Sequence, residues 1–497
     1  VNVSCRWGAR GILLITLSGV PAAALPACGG SSSGAAADGG SGASSSGGSS
    51  GAGADATSSG GADASGSTGG SASGGSSGAS SSSGAAGEGG SSSSGGDGGF
   101  VLPSGRSYPD TSATIALLVD QLPSMNTQQM QFATSHYVGT EKQVLSVTQQ
   151  LRAMNPAFLV LHYHLCMWQS APATTFIVDG TSWGNDYPTV TMNETWFWHD
   201  ASNQRVASSA DQKLLMNVSV PGFAQYWETS LETQVMDGQY DGIMFDSASP
   251  ALLQGECGGT GIGQDPRLAG TAAHDTSFAE LGNTTWIAAW QTWITKLDGD
   301  LAAKGIPLIP NTGAFVTGWD TTDYTRTAGI FSEGFASTSF AFSDWQASTS
   351  ELLKLASLDR IMILQNYLSS ANDVATRMYY LGNYLLVKGH HTYLDYFASG
   401  PLEWYPEWGV DLGAPTTPQT TAVSSLASGG VYRRDFVKGS VLVNPTSSPV
   451  TVTISGNRVV PSGGGAVGAS GVAPGTLSMT AVTSVVVAAT SAEIVLR

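Results

Sequence analysis

Positive charge is scarce in this chain: 20 Lys and Arg stand against 37 Asp and Glu, a formal net charge of −17. Setting aside five acids in residues 29–99 and two arginines in the first ten residues leaves about −14 on the remainder. Such a surface repels phosphate backbones, and no basic stripe interrupts it, so a nucleic-acid partner is excluded. Cysteine is scarce too, with four residues in 497. Cys5 and Cys28 fall in the first segment, leaving Cys166 and Cys257, an even pair that in an oxidising compartment reads as a disulfide. Two separate buried thiols are the alternative. The apolar run 11–20 is shorter than the about 20 residues a mature membrane helix needs. Aromatic residues are absent from 29–99, a stretch of Gly, Ser and Ala that cannot bury enough apolar surface to offset backbone entropy.

The short apolar run has a different use. Arg6 and Arg10 precede it and small residues follow, the layout of an export signal. Leu25-Pro26-Ala27-Cys28 resembles a bacterial lipobox, with Cys28 lipidated and residues 1–28 forming a lipoprotein-type signal; plain cleavage near residues 22–24 is the alternative. Residues 29–99 are then a disordered tether spanning about 45 Å on average. The expected address is extracytoplasmic, with contact to a membrane only through the lipid.

What remains is rich in pattern. Apolar runs at 114–119, 157–163, 213–218, 242–245, 307–309, 329–331, 360–364 and 392–396 alternate with helical segments, which implies a parallel sheet. Eight such strands predict an α/β fold, a (β/α)8 TIM barrel over 100–413. The third strand has a rival at 195–199. Trp286, Trp290, Trp293, Leu297 and Leu301 recur at helical spacing before Gly305, and Val374, Met378, Leu381 and Leu385 do so after Asn372 as N-cap. After Gly413 the texture becomes short alternating strands, with a turn at Lys438-Gly439, predicting a small antiparallel β-sandwich-like domain over 414–497.

In such a barrel the residue ending a strand faces the shared pocket. Tyr240-Asp-Gly-Ile-Met-Phe-Asp246 ends the fourth strand in Asp246, and Gly329-Ile-Phe-Ser-Glu333 ends the sixth in Glu333. Two acids on one rim are the minimum equipment for cutting a glycosidic bond, with separations near 5 Å for retention and about 6.5–9.5 Å for inversion. The two are the candidate catalytic pair. Asp241 lies roughly 16 Å back along an extended strand, on the opposite face. Candidate substrate contacts are Asn311 and Gln365 at other strand ends, His162 and His164, Trp168, Glu194, Trp196 and Trp404. Glu194, Glu403 and Glu407 are reserve acids. His162 and His164 share a strand face and, with Asp395, offer a metal-dependent hydrolase as a competing reading. The plainer reading is one histidine bonding a neighbour, and no metal or other cofactor is assigned. A non-catalytic surface protein that binds glycans through the same aromatics is a further alternative.

These motifs, with Pro307-Leu-Ile-Pro-Asn311, Ile361-Met-Ile-Leu-Gln365 and the Trp404 to Pro415 stretch, resemble the glycoside hydrolase-like TIM barrels grouped as hypothetical glycosyl hydrolase family 15. The resemblance implies a barrel fold and a poly- or oligosaccharide partner. Better-characterised barrel glycosidases often carry acids on strands four and five or four and seven, where this chain has Asn311 and Gln365.

Overall fold

The computed structural model describes residues 102–169, 177–178, 181–182, 186–199, 204–205, 213–248, 287–314, 322–397 and 401–497. The expected signal, tether, Cys28 and Cys257 lie outside them. The fold is mixed α/β with a sheet-rich C-terminal region. Its parallel strands are β1 (Leu118–Gln121), β2 (Gly139–Glu141), β3 (Leu159–Leu165), β4 (Ile243–Asp246), β5 (Leu308–Pro310), β6 (Gly329–Glu333), β7 (Ile361–Tyr367) and β8 (Thr392–Phe397). β1 to β5 form one sheet in chain order and β6 to β8 another. Parallel bridges Asn311–Phe331 and Leu117–Leu394 join the edges of the two sheets.

Helices α1 (Thr127–His136), α2 (Leu145–Met154), α3 (Pro221–Gly238), α4 (Ile287–Ala302), α5 (Phe342–Ser357) and α6 (Val374–Val387) alternate with these strands. Local chemistry sets their ends. Asn126 and Gln129 form a reciprocal capping box on α1. Asp373, not the expected Asn372, caps α6 by accepting from Thr376 N. In α3, Phe223, Trp227, Leu231 and Val235 are buried at four-residue spacing, one stripe facing the strands.

Alternate strand residues divide the core in two. Leu161, Tyr163, Met244, Ile309, Phe331, Ile363 and Tyr393 belong to one buried cluster. Val160, Ile243, Phe245, Leu308, Ile330, Met362 and Leu394 belong to the other, shared with the helices. Burial of both faces explains why the strands read as near-continuous apolar runs. β6 starts at a glycine for want of room: a Cβ on Gly329 would lie 2.0 Å from Ile361 O.

Two strand expectations are corrected. β2, Gly139–Glu141, was not foreseen, because it is three residues long and has no apolar signature. The 213–218 run is no member of the parallel sheets: Leu214–Leu215 pairs antiparallel with Trp168–Gln169, and the rival 195–199 segment holds only isolated bridges at Phe197 and His199. One omission and one excess cancel, so Asp246 still ends the fourth strand and Glu333 the sixth.

At the opposite end of the strands, Asp241 is fully buried. It accepts from Arg106 Nε at 2.8 Å, Arg152 Nη2 at 2.6 Å, the Ser104 hydroxyl at 2.7 Å and Val160 N at 2.8 Å.

The C-terminal strands are β9 (Ala427–Ser428), β10 (Val431–Phe436), β11 (Gly439–Asn444), β12 (Val450–Ser462), β13 (Thr476–Val487) and β14 (Ser491–Leu496). All six lie in one sheet of order β9-β10-β11-β14-β12-β13, with antiparallel pairing throughout. The expected sandwich-like packing is present within this one hydrogen-bonded sheet, since Val431, Leu442 and Val495 cluster with Val485 and Val487 of β13, while the other face meets a helix. Alternation along a strand reveals a covered face but not what covers it, and here α6 covers it. A Cβ on Gly382 of α6 would sit 2.3 Å from Ala492 of β14. Arg434 of β10 reaches the end of α6, where Nη1 donates to the carbonyls of Leu385, Leu386 and Lys388 at 3.1, 2.9 and 2.7 Å. Those are the carbonyls a helix terminus leaves without partners of its own.

Candidate active site

The inward alternation that packs the strand interior continues to the strands' C-terminal ends, where it turns polar. Asp120, Glu141, Asp246, Asn311, Glu333, Gln365 and Asp395 are all buried there. Glu333, Gln365 and Asp395 stand side by side in register across β6, β7 and β8.

Asp246 is fully buried and held by three donors. The Tyr163 hydroxyl donates to Oδ2 at 2.6 Å, while Asn311 Nδ2 and Ser247 N each reach Oδ1 at 2.8 Å. Ser247 adopts φ +55°, a left-handed turn uncommon for a residue with a side chain. It directs the backbone N–H back onto the preceding carboxylate. Asn311 Nδ2 also donates to Glu333 Oε2 at 2.8 Å. Two such bonds from one nitrogen keep the two carboxylate oxygens within about 5.6 Å of each other.

The two acids differ in surroundings. Burial, then the charge of Asp246, pushes the Glu333 carboxyl up to about 7, against the pull of the Asn311 hydrogen bond. Asp246 instead accepts from three donors, Tyr163, Ser247 and Asn311. One acid poised to carry a proton beside one held by donors is the division of labour that acid-assisted displacement needs.

The same rim holds groups that sequence reasoning passed over. Lys142, at φ +57°, lies 2.6 Å from Asp120 Oδ1 and 3.9 Å from Glu141 Oε1, with Nζ 4.7 Å above the Tyr163 ring. Burial opposes its charge, but Asp120, Glu141 and Asp246 together raise its pKa. Burial and Asp120 push Glu141 well above the usual carboxyl range. Asp120 N donates to Asp395 Oδ2 at 3.1 Å, and burial followed by Asp120 raises Asp395 as well. A cleft open to solvent adjoins this corner, lined by Asp120, Gln121, Tyr137, Asp395, Glu403 and Trp408 among others. Asp120 was open to detection, since Leu117-Leu-Val-Asp120 is another apolar strand ending in an acid.

Other expected contacts lie elsewhere. His162 and His164 flank Tyr163, so they face outward, toward α3, which corrects their expected place in the pocket. His162 Nε2 is 2.7 Å from Gln234 Oε1, and His164 Nε2 is 2.9 Å from Asp186 Oδ2. Burial and the neighbouring His164 lower His162 to about 3. The imidazoles are thus bound to different partners, and among the described residues no group of three or more His, Cys, Asp or Glu is placed to hold a metal ion. Trp168 is buried in its short strand pair. Glu194 is an exposed acid held low, to about 2, by hydrogen bonds from Arg205 and His199. Trp196 packs on Tyr226 and Phe223. Trp404 meets Phe132, His136 and Trp408 edge-on. Glu407 is fully buried against Arg377 at 2.8 Å. Cys166 is a free, buried thiol, so the expected disulfide is not found; its intended partner, Cys257, lies outside the described residues.

Asp246 and Glu333 are thus two buried acids set on one amide at the ends of parallel strands. The family model described as hypothetical glycosyl hydrolase family 15 matches residues 152–440, and the chain belongs to that family. None of the curated proteins matches the chain. Among solved structures it is similar to a noncanonic maltogenic alpha-amylase, AmyB, from Thermotoga neapolitana, at 9% identity over 77% of this chain and 98% of that one, TM-score 0.36. A pullulanase from Bacillus acidopullulyticus matches at 10% identity over 78% and 61%, TM-score 0.35. An alpha-amylase from Lactobacillus plantarum matches at 9% identity over 77% and 98%, TM-score 0.37.

Proposed function

We propose that this chain is a retaining glycosidase hydrolysing O-glycosidic bonds in an extracytoplasmic poly- or oligosaccharide, on a closed (β/α)8 TIM barrel. The bridges joining both pairs of sheet edges support closure. The observation that carries the chemistry is Asn311 Nδ2 bonded to Asp246 and Glu333 at once, an arrangement that favours the short retaining separation over the inverting one. Asp246 attacks the anomeric carbon while Glu333 delivers its proton to the departing oxygen, leaving a glycosyl ester on Asp246. Glu333, now ionised, takes a proton from water as that water attacks the ester, which restores both acids. Asn311 and the Tyr163 hydroxyl hold the nucleophile in line and share its charge until it is spent on the bond.

New reducing ends, measured on a panel of bacterial and plant polysaccharides, test the activity, and the anomer first released, followed by proton NMR, tests the stereochemistry. Retention is expected; a first product of inverted configuration would discard this pairing. The pH profile follows from Glu333, which must carry its proton to act as the acid. Its ionised fraction rises with pH, so kcat/KM is expected to fall about tenfold per unit above about pH 7. Glu333→Gln should remove that alkaline limb together with most of the rate.

In this reading the domain is carried on a lipid at Cys28 and the 29–99 tether. Labelled palmitate incorporated by the wild type and not by Cys28→Ser is the expected result; equal labelling of both would remove the anchor.

A further inference from the structure

The rim holds more carboxylate than glycoside cleavage uses. Asp395 lies on β8 in register with Gln365, which in turn pairs with Glu333, and Glu403 lines the adjoining open cleft with Asp395 and Asp120. Lys142 is paired to Asp120, whereas Asp395 and Glu403 have no ion-pair partner among the described residues, each side chain accepting one hydrogen bond, from Asp120 N at 3.1 Å and from the Tyr405 hydroxyl at 3.0 Å. A second observation is independent of charge. Gln365 is 1% exposed, lies in register between Glu333 and Asp395, and its Nε2 has no hydrogen-bond partner. A buried donor without an acceptor is unfavourable, and a bound oxygen relieves it.

Resting on the glycosidase reading above, we propose that the substrate is a glycan of hexosamine with a free, protonated amine. Asp395 and Glu403 take the ammonium, and Gln365 donates to a hydroxyl oxygen of the same ring. An ammonium offers three donors and no acceptor, the complement of carboxylate oxygens. An N-acetyl group would instead bring a carbonyl oxygen and a methyl against them. Burial holds Asp395 and Glu403 above the ordinary carboxyl range in the empty cleft, and a bound cation draws those protons off.

The test uses the full chain carrying Asp246→Asn, so that binding is measured without turnover. Titration calorimetry compares matched gluco- and galacto-configured oligosaccharides as free amines, as N-acetyl forms and as neutral hexoses. The free-amine set is expected to bind at least about tenfold more tightly, a preference erased by Asp395→Asn or by Glu403→Gln in the same background. Melting temperatures identify any variant that fails to fold, and two variants guard against losing one. Equal or weaker binding of the amines, no binding by any set, or a preference surviving both substitutions would overturn the proposal. Cleavage of the same sugars by the wild type is scored separately. Cleavage without amine preference leaves a glycosidase and removes the inference; amine-selective binding without cleavage keeps the site and removes the glycosidase reading.

Discussion

Asp246→Asn is expected to lower kcat by about 10⁴-fold or more while leaving the fold intact. An amide cannot attack the anomeric carbon to form a stable ester, and among the described residues Glu333 and Glu141 are poor substitutes. Glu333 is committed to proton transfer and, with its pKa up to about 7, is a weak nucleophile below that pH. Glu141 is fully buried, and burial keeps it protonated well above the usual range. The amide is nearly isosteric, and its oxygen can still accept from Tyr163 or Ser247. Equal melting temperatures for wild type and variant would separate chemistry from folding. Azide supplied to Asp246→Ala provides a second reading, since a small anion can occupy the vacated space and restore bond cleavage with inverted configuration. Residual activity within tenfold of wild type in Asp246→Asn would assign the nucleophile elsewhere.

The largest loss of stability is expected at the other end of the same segment. Asp241→Ala should cost about 3–5 kcal/mol, because it leaves the guanidinium groups of Arg106 and Arg152 facing a buried space with no counter-charge. It also strips the acceptor from Val160 N, on the strand next to the one that carries Asp246. Whole proteins are stable by only about 5–15 kcal/mol, so the change takes a large share. The urea midpoint measures it, and Asp241→Asn, which keeps an acceptor, should lose less. A shift worth under about 1 kcal/mol for Asp241→Ala would show that the arginines find other partners. At low temperature the folded fraction should keep its specific activity, since Asp241 lies at the strand ends away from Asp246.

Both acids were readable because each ends a run of small and apolar residues, and the step from Asp241 to Asp246 is long enough to reach from one end of the strand to the other. The hairpin about Lys438-Gly439 was readable from its alternation, and the ladder runs from Phe436–Gly439 to Tyr432–Val443. What failed has identifiable causes. β2 offers Gly139 and Glu141, one without a side chain and one charged, so no apolar pattern announces it. The 213–218 run is apolar because it packs beside Met167 and Trp168 outside the parallel sheets; an apolar run records burial and not the partner that supplies it. His162 and His164 could be assigned to a common face but not to the correct one. On a strand buried on both sides, Leu161 and Tyr163 look no more interior than Val160. Lys142 and Glu141 escaped because their strand did.

The grip of Arg434 on the end of α6, together with the seat of Gly382 on β14, has a consequence for how this chain is made. A ribosome releases the strands that carry Asp246 and Glu333 long before residues 491–496 emerge. Until those arrive, α6 has β11, where Gly382 faces Val441 and Val443, but not β14, and the last strand–helix unit is held by only part of its partner surface. The carboxylates are therefore expected to settle into place only after residues 491–496 have left the ribosome. A nascent chain stalled before residue 491 would hold every group of the proposed machinery and yet lack the strand against which α6 seats Gly382.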